Sequence, residues 1–348
     1  MSCNLQFLWS MKSHFWVVIF SLLVGCTTVS GTTDQEKING VNLVAMKQQI
    51  GKKQVEPISK LGANWVAIIP YGFTDPELCN VTYDHPRQWY GETSKGVREY
   101  VELSTQEKME VMLKPHLWVK GQGWAGDLEF ESEVEWRKWE DGYRKYILHF
   151  AAMADSLNIP LFCIGTECRK AVTKREGFWR SLIKEVRGVY NGQVTYAANW
   201  DNYDKVRFWD DLDLIGIDGY FPVCTDKTPE VNLLEKGWES VMLNLEELAE
   251  QFQKQVIFTE FGYQSIDYAA DGHWKHNGDT LQVNQQGQAN AYQAIFNCFW
   301  KEDWFAGGFL WKWFPTHETL GERQDKRYTP QGKLAEEVIR SFYNKRMD

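Results

Sequence analysis

Basic charge is scarce in this chain: 38 Lys and Arg stand against 47 Asp and Glu, a formal net charge of -9 over 348 residues. Broad attraction to phosphate backbones or anionic lipid needs a basic face, so nucleic acid is not an expected partner. Cysteine is also sparse in meaning. Of 7 Cys, two fall in the first 26 residues. The others, Cys79, Cys163, Cys168, Cys224 and Cys298, form an odd set with no Cys-x-x-Cys spacing. A zinc cluster is therefore not expected, and at least one thiol stays unpaired in a monomer. No Gly-x-Gly-x-x-Gly follows the first strand-like run, which argues against a dinucleotide-binding fold. Neither a fixed-period repeat nor an interior Pro/Ser-rich linker is present, so the reading is of one domain.

Long apolar runs are missing too. The run from Phe15 to Val24 is too short to span a bilayer and follows Lys12 and His14, the charge-then-apolar order of an export signal. It ends in Leu-Val-Gly-Cys at 23–26. That string resembles the bacterial lipobox, in which Cys26 is acylated. The expected organisation is a lipoprotein signal over residues 1–25, a tether over 26–36 rich in Thr, Ser and Gly, and a catalytic domain over 37–346. The anchor would be the only membrane contact of an exported, monomeric protein. Thr27 after the cysteine, in place of Asp, favours the outer membrane by resemblance to lipoprotein sorting.

What the chain has in excess is aromatic surface: 15% Phe, Trp and Tyr, with 17 Trp. Trp and Tyr fill cores, and they also make flat platforms for the C–H faces of sugars. From residue 38 onward, short β-rich apolar runs alternate with longer amphipathic stretches, the parallel α/β pattern. Strands are read at Ile38–Val44, Trp65–Pro70, Glu110–Trp118, Leu161–Gly165, Val194–Asn199, Leu214–Asp218, Val256–Glu260 and Gly307–Trp311. Helices are read at Trp136–Asn158, Gly177–Tyr190, Leu233–Lys254, Val283–Glu302 and Leu334–Tyr343. Eight strand–helix units predict a single-domain (β/α)8 TIM barrel. The insertions at 71–100, 118–135 and 263–283 all follow strand ends, where such a barrel carries its active site.

Retaining cleavage of a glycosidic bond needs two carboxyl groups roughly 5–5.5 Å apart, one to protonate the leaving oxygen and one to attack the anomeric carbon. Glu167 lies just past the fourth strand, in Phe-Cys-Ile-Gly-Thr-Glu-Cys, and Glu260 ends the seventh, in Val-Ile-Phe-Thr-Glu-Phe-Gly-Tyr. Each follows an apolar run directly, which puts its Cα at the barrel rim. Asp218 is the rival strand-end carboxylate, read as structural or as a hydrogen-bonding partner of substrate.

A barrel with Glu after the fourth strand, Glu after the seventh and Trp after the eighth resembles clan A of the glycoside hydrolases. Gly-Thr-Glu-Cys, Thr-Glu-Phe-Gly-Tyr and Lys-Pro-His-Leu-Trp-Val at 114–119 look most like family 113, whose known members are mainly β-1,4-mannanases. The resemblance spans roughly residues 38–340. It implies Glu167 as general acid/base, Glu260 as nucleophile, Tyr220 as hydrogen-bond donor to the nucleophile, and Trp311 as the floor of subsite -1. Many clan members have Asn before the acid/base, bound to the sugar 2-hydroxyl; here Thr166 stands there. Either Thr166 or a neighbour such as Asn199 takes that task, or subsite -1 differs.

Further expected sugar contacts, all near strand ends, are His116, Trp118, Asn199, Trp200, Asn42 and Tyr71, with Trp124 beside them. His273 and His276 have a metal-like spacing but no second ligand cluster, so they read as a solvated or substrate-facing loop. The acidic run Glu129–Glu135 reads as a solvated helix start. The chain is thus expected to cleave a β-1,4-mannan or related β-glycan without metal or organic cofactor. Exo-action on another β-glycan and non-catalytic glycan binding at the cell surface are the alternatives.

Overall fold

The computed structural model describes residues 36–275, 280–316 and 325–345. The leader, the tether up to residue 35, Cys26 and His276 lie outside the described residues. The described residues form eleven strands: β1 (Ile38–Leu43), β2 (Trp65–Ile68), β3 (Tyr71–Asp75), β4 (Asn80–Thr82), β5 (Glu110–Leu113), β6 (His116–Val119), β7 (Leu161–Thr166), β8 (Gln193–Asn199), β9 (Ile215–Asp218), β10 (Val256–Phe261) and β11 (Phe305–Trp313). Eight of them close a barrel in the order β1-β11-β10-β9-β8-β7-β5-β2, every pairing parallel. Among the described residues, eight α-helices accompany them: α1 (Lys52–Leu61), α2 (Ser94–Gln106), α3 (Glu133–Ser156), α4 (Arg169–Lys174), α5 (Glu176–Arg187), α6 (Val231–Phe252), α7 (Gln285–Phe299) and α8 (Leu334–Tyr343). The expected (β/α)8 barrel is thus the fold.

Local chemistry explains the helix starts. Ser132 accepts the Glu135 amide and Glu135 returns a bond to the Ser132 amide, a reciprocal cap that begins α3 within the acidic run. Thr93 caps α2 through the Gly96 amide. At the other end of α1, Gly62 takes a φ of 98°, a left-handed turn natural to glycine.

Two strands end earlier than the apolar runs suggest. The runs at 65–70 and 110–118 continue through Pro70 and Pro115, which lack the amide that a ladder requires. The chain leaves the barrel at both points. It re-pairs as β3 beside β6, Tyr71 opposite His116, and β4 completes a small second sheet over the barrel mouth. The expected third strand is therefore two strands in different sheets.

Along each barrel strand, every second residue points inward. The lower inward layer is apolar: Ala67, Met112, Cys163, Ala197, Ile257 and Phe309 pack together. Gly40 gives way to the Phe309 ring, which would lie 2.3 Å from a Cβ at that position. Two residues further along, the inward positions turn polar, with Asn42, Lys114 and Asp218 fully buried. That switch from apolar to polar places chemistry at the carboxyl ends of the strands. Among the described residues, no helix is long and apolar enough to cross a membrane.

Candidate active site

Glu167 directly follows β7 and takes a φ of 50°, a conformation uncommon for a residue with a side chain. Its amide donates to the Ala197 carbonyl at 2.8 Å, which anchors this bend to β8. Such strain persists where surroundings over-determine it, commonly at functional sites. Glu260 lies within β10, where the register against β9 shifts between Phe258 and Glu260. The bulge re-aims the side chain, and the Glu260 carbonyl accepts the Gly219 amide at 2.7 Å.

Both glutamates line one cavity of about 670 Å³ at the barrel mouth. Its wall also includes Tyr71, His116, Trp118, Trp124, Thr166 and Asn199, and beyond them Trp200, Tyr220 and Trp311. The small second sheet brings Tyr71, His116 and Trp118 to this wall. Trp311 ends the barrel circuit on β11, its ring parallel to that of His116 with centroids 5.9 Å apart; its peptide bond to Lys312 is cis. Trp200 stacks on Trp274 at 5.1 Å.

Glu260 is held through both oxygens. Lys114 donates to Oε1 at 2.5 Å, and Tyr220 donates its hydroxyl to Oε2 at 2.7 Å. His116 Nε2 is 3.4 Å from Oε1. Burial, and then the charges of Lys114 and Lys312, push the imidazole well below its ordinary range. His116 is therefore neutral at neutral pH, and its contact with Glu260 is dipolar, not an ion pair.

Glu167 differs in kind. Burial first, and then the Glu260 charge, raise its carboxyl from 4.5 to about 7, against the opposing pull of the Trp124 N–H and Lys114. Trp124 Nε1 donates to Glu167 Oε2 at 2.5 Å. The loop carrying Trp124 is fixed by Arg169, which bridges Asp127 and Asp201 at 2.9 Å each and lies over the Trp124 ring at 5.0 Å. One carboxyl thus stays protonated near neutrality, and the other is met by a cation and a phenol: two carboxyl groups with divided roles.

Asn42 is not on the cavity wall. It is fully buried and donates to the carbonyls of Thr259, Phe309 and Leu310 at 3.1, 3.1 and 3.3 Å, where the β10–β11 register slips. Asp218 is likewise buried behind the wall, accepting the Thr259 hydroxyl at 2.7 Å. Thr166 Oγ1 and Asn199 Oδ1 are buried atoms with no protein partner, both on residues lining the cavity beside Glu167. Among the described residues, no group of three or more His, Cys, Asp or Glu could hold a metal ion.

Sequence reasoning missed Lys114, Lys312, Arg169, Trp274 and Tyr328. Only Lys114 carried a readable signal, a lysine inside an apolar strand run, where that residue type is almost never buried unless paired.

Comparisons with known proteins bear on the family and the fold. A β-mannanase of family 113 from Alicyclobacillus acidocaldarius, solved in complex with ManMIm, superposes with a TM-score of 0.76 at 27% identity, covering 89% of this chain and 98% of that one. A complex of a family 113 β-1,4-mannanase gives 0.76 at 25% identity, over 89% of this chain and 100% of that one. A β-glucuronidase from Faecalibacterium prausnitzii, at 15% identity and a TM-score of 0.59, shares the fold alone, over 88% of this chain and 48% of that one. No curated protein matches. The Glycoside Hydrolase Family 113 model matches residues 43–333, so the chain belongs to that family and is a β-mannanase-like glycoside hydrolase.

Proposed function

We propose that this enzyme is a retaining endo-β-1,4-mannanase working by double displacement. Glu167 protonates the departing glycosidic oxygen while Glu260 attacks the anomeric carbon to form a glycosyl ester. Glu167 then deprotonates the water that releases the sugar and restores Glu260. The observation that carries this reading is the pairing across one cavity of a carboxyl raised to about 7 with a second carboxylate gripped by Lys114 and Tyr220. Thr166 and Asn199 are the groups proposed to meet the sugar 2-hydroxyl, and Trp311 the ring beneath subsite -1.

Internal cleavage is supported by a second cavity of about 630 Å³ that shares Tyr71, Trp118 and Trp311 with the first. A chain of sugars running over Trp311 would find room in both cavities, whereas an exo-enzyme needs one side of its site closed. Mannan is the proposed substrate because the family 113 neighbours are described as β-mannanases. The protein is further proposed to be exported and acylated at Cys26, which labelling with a fatty-acid analogue in the parent and in Cys26→Ser would test.

Product analysis on mannan, glucomannan, xylan and cellulose, with anomeric configuration followed by NMR, tests the catalytic reading. Initial formation of β-configured internal fragments from mannan is expected. Initial α-products, or release of single terminal sugars only, would refute it. Glu260→Ala should lose nearly all turnover, and Glu167→Ala should keep activity mainly on substrates with good leaving groups.

A further inference from the structure

Behind the cavity wall, directly after β5, the Lys114 side chain is fully buried. Its Nζ lies 2.5 Å from Glu260 Oε1, 3.3 Å from the Thr259 carbonyl oxygen and 3.9 Å from Asp218 Oδ1. It also sits over the Trp311 ring, 5.7 Å from the centroid. A buried ammonium is destabilising by several kcal/mol unless an anion meets it at close range. Two carboxyl groups compete for that part, and distance separates them. Asp218 Oδ1 is the farther of the two, and it already accepts the Thr259 hydroxyl at 2.7 Å.

We infer that Lys114 is a positioning residue for Glu260, fixing its Oε1 and supplying the buried positive charge against which the attacking carboxylate is poised. The inference rests on Glu260 being the nucleophile. Asp218 fits it as the weaker counter-group, since burial, and then the Glu260 charge, push its carboxyl well above the usual range. Burial works against the charge on Lys114, but Glu260 and Asp218 outweigh it and its shift is upward. In the glycosylation step the Glu260–carbon bond forms, the carbon–leaving-oxygen bond breaks, and the Glu167 proton goes to that oxygen. Lys114 keeps its own proton throughout. Its Nζ holds Glu260 Oε1 in place before attack, and again as that oxygen is released when water opens the ester.

The other titratable groups around Glu260 do not replace it. His116 is neutral, and burial, followed by the Glu260 charge, raises Tyr71, Tyr220 and Tyr328 above the ordinary phenol range. Glu167 is the acid partner, and Lys312 lies over the Trp311 and Phe314 rings at 4.9 and 5.5 Å.

The test is the pH dependence of covalent inactivation by 2-deoxy-2-fluoro-β-mannosyl fluoride, which isolates attack by the nucleophile. The parent enzyme should be labelled at Glu260; absence of label there overturns the proposed mechanism and this role with it. Given that label, Lys114→Met should slow inactivation by about 100-fold and move the acidic limb up by about one pH unit or more. Lys114→Arg, which keeps the charge, should return the limb toward its parent position even if inactivation stays slow. Asp218→Asn, close in shape to a protonated acid, should leave the limb in place. An unmoved limb in Lys114→Met, or an equal displacement in Asp218→Asn, overturns the inference. Should Lys114→Met fail to fold by circular dichroism, the Lys114→Met/Asp218→Asn double variant replaces it, read against Asp218→Asn alone. A displaced limb in the double variant supports the role and an unmoved one removes it.

Discussion

Tyr220 reaches from the end of β9 to the end of β10 and donates its hydroxyl to Glu260 Oε2 at 2.7 Å, on the oxygen that Lys114 leaves open. The two donors fix the plane of the carboxylate from two separate strands. A hydrogen bond to a charged group is worth roughly 1.5–3 kcal/mol, so Tyr220→Phe should lower kcat roughly 10- to 150-fold on mannooligosaccharides. KM should stay within a few-fold of the parent. Steady-state kinetics check this, and an unchanged kcat would detach Tyr220 from the nucleophile.

The acid has its own pH signature. With Glu167 raised to about 7, the proton needed by the leaving oxygen is present below that pH and is lost above it. The rate of glycosylation should therefore fall as pH rises through about 7. Glu167→Gln, assayed on an activated aryl mannoside, should lack that basic limb. A limb that survives in this variant belongs to another group.

Trp124 pulls against this shift, because its N–H stabilises the charged form of Glu167 through the 2.5 Å bond. Trp124→Phe keeps the ring and removes the donor. The basic limb should move upward by up to about one pH unit. A downward move in the pH–rate profile would mean that the indole favours the protonated acid instead.

Stability should carry the mark of Glu167 as well. Its folded value of about 7 lies above the ordinary 4.5, so the native state prefers the protonated group. The associated stability is complete below the lower value and is lost as pH rises through the upper one. Glu167→Gln removes that loss. Its melting temperature should match the parent near the acid end and exceed it by roughly 5 °C above neutrality, as read by calorimetry across pH.

The Trp200–Trp274 stack, 5.1 Å between centroids, extends the aromatic wall away from the two glutamates. A platform there should matter only to substrates long enough to reach it. Trp274→Ala should raise KM roughly 3- to 10-fold for long mannooligosaccharides and leave a short aryl mannoside nearly unaffected. Equal losses on both would place Trp274 in the support of the site and not on the substrate path.

Much of this was legible before folding. The alternation of apolar runs and amphipathic stretches announced the barrel, and Glu167 and Glu260 stood at strand ends in the linear text. Pro70 and Pro115 were visible too, but their effect was not. A proline removes a ladder donor without saying where the chain goes next, and here β3 and β6 leave together and pair. Asn42 shows the opposite failure. A polar residue near a strand end reads as a sugar contact, yet its amide is consumed by three carbonyls from β10 and β11.

The sequence by itself determined the succession of eight strand–helix units and the two acids at strand ends, because periodicity and strand-end position are local properties of a chain. Tertiary structure alone decided which polar side chains share a space and which ionise. Lys114 and Glu260 are 146 residues apart, and a charge so deeply buried is stable only opposite its counter-charge. Register and the β10 bulge set that meeting, and neither can be read from one strand without its neighbours.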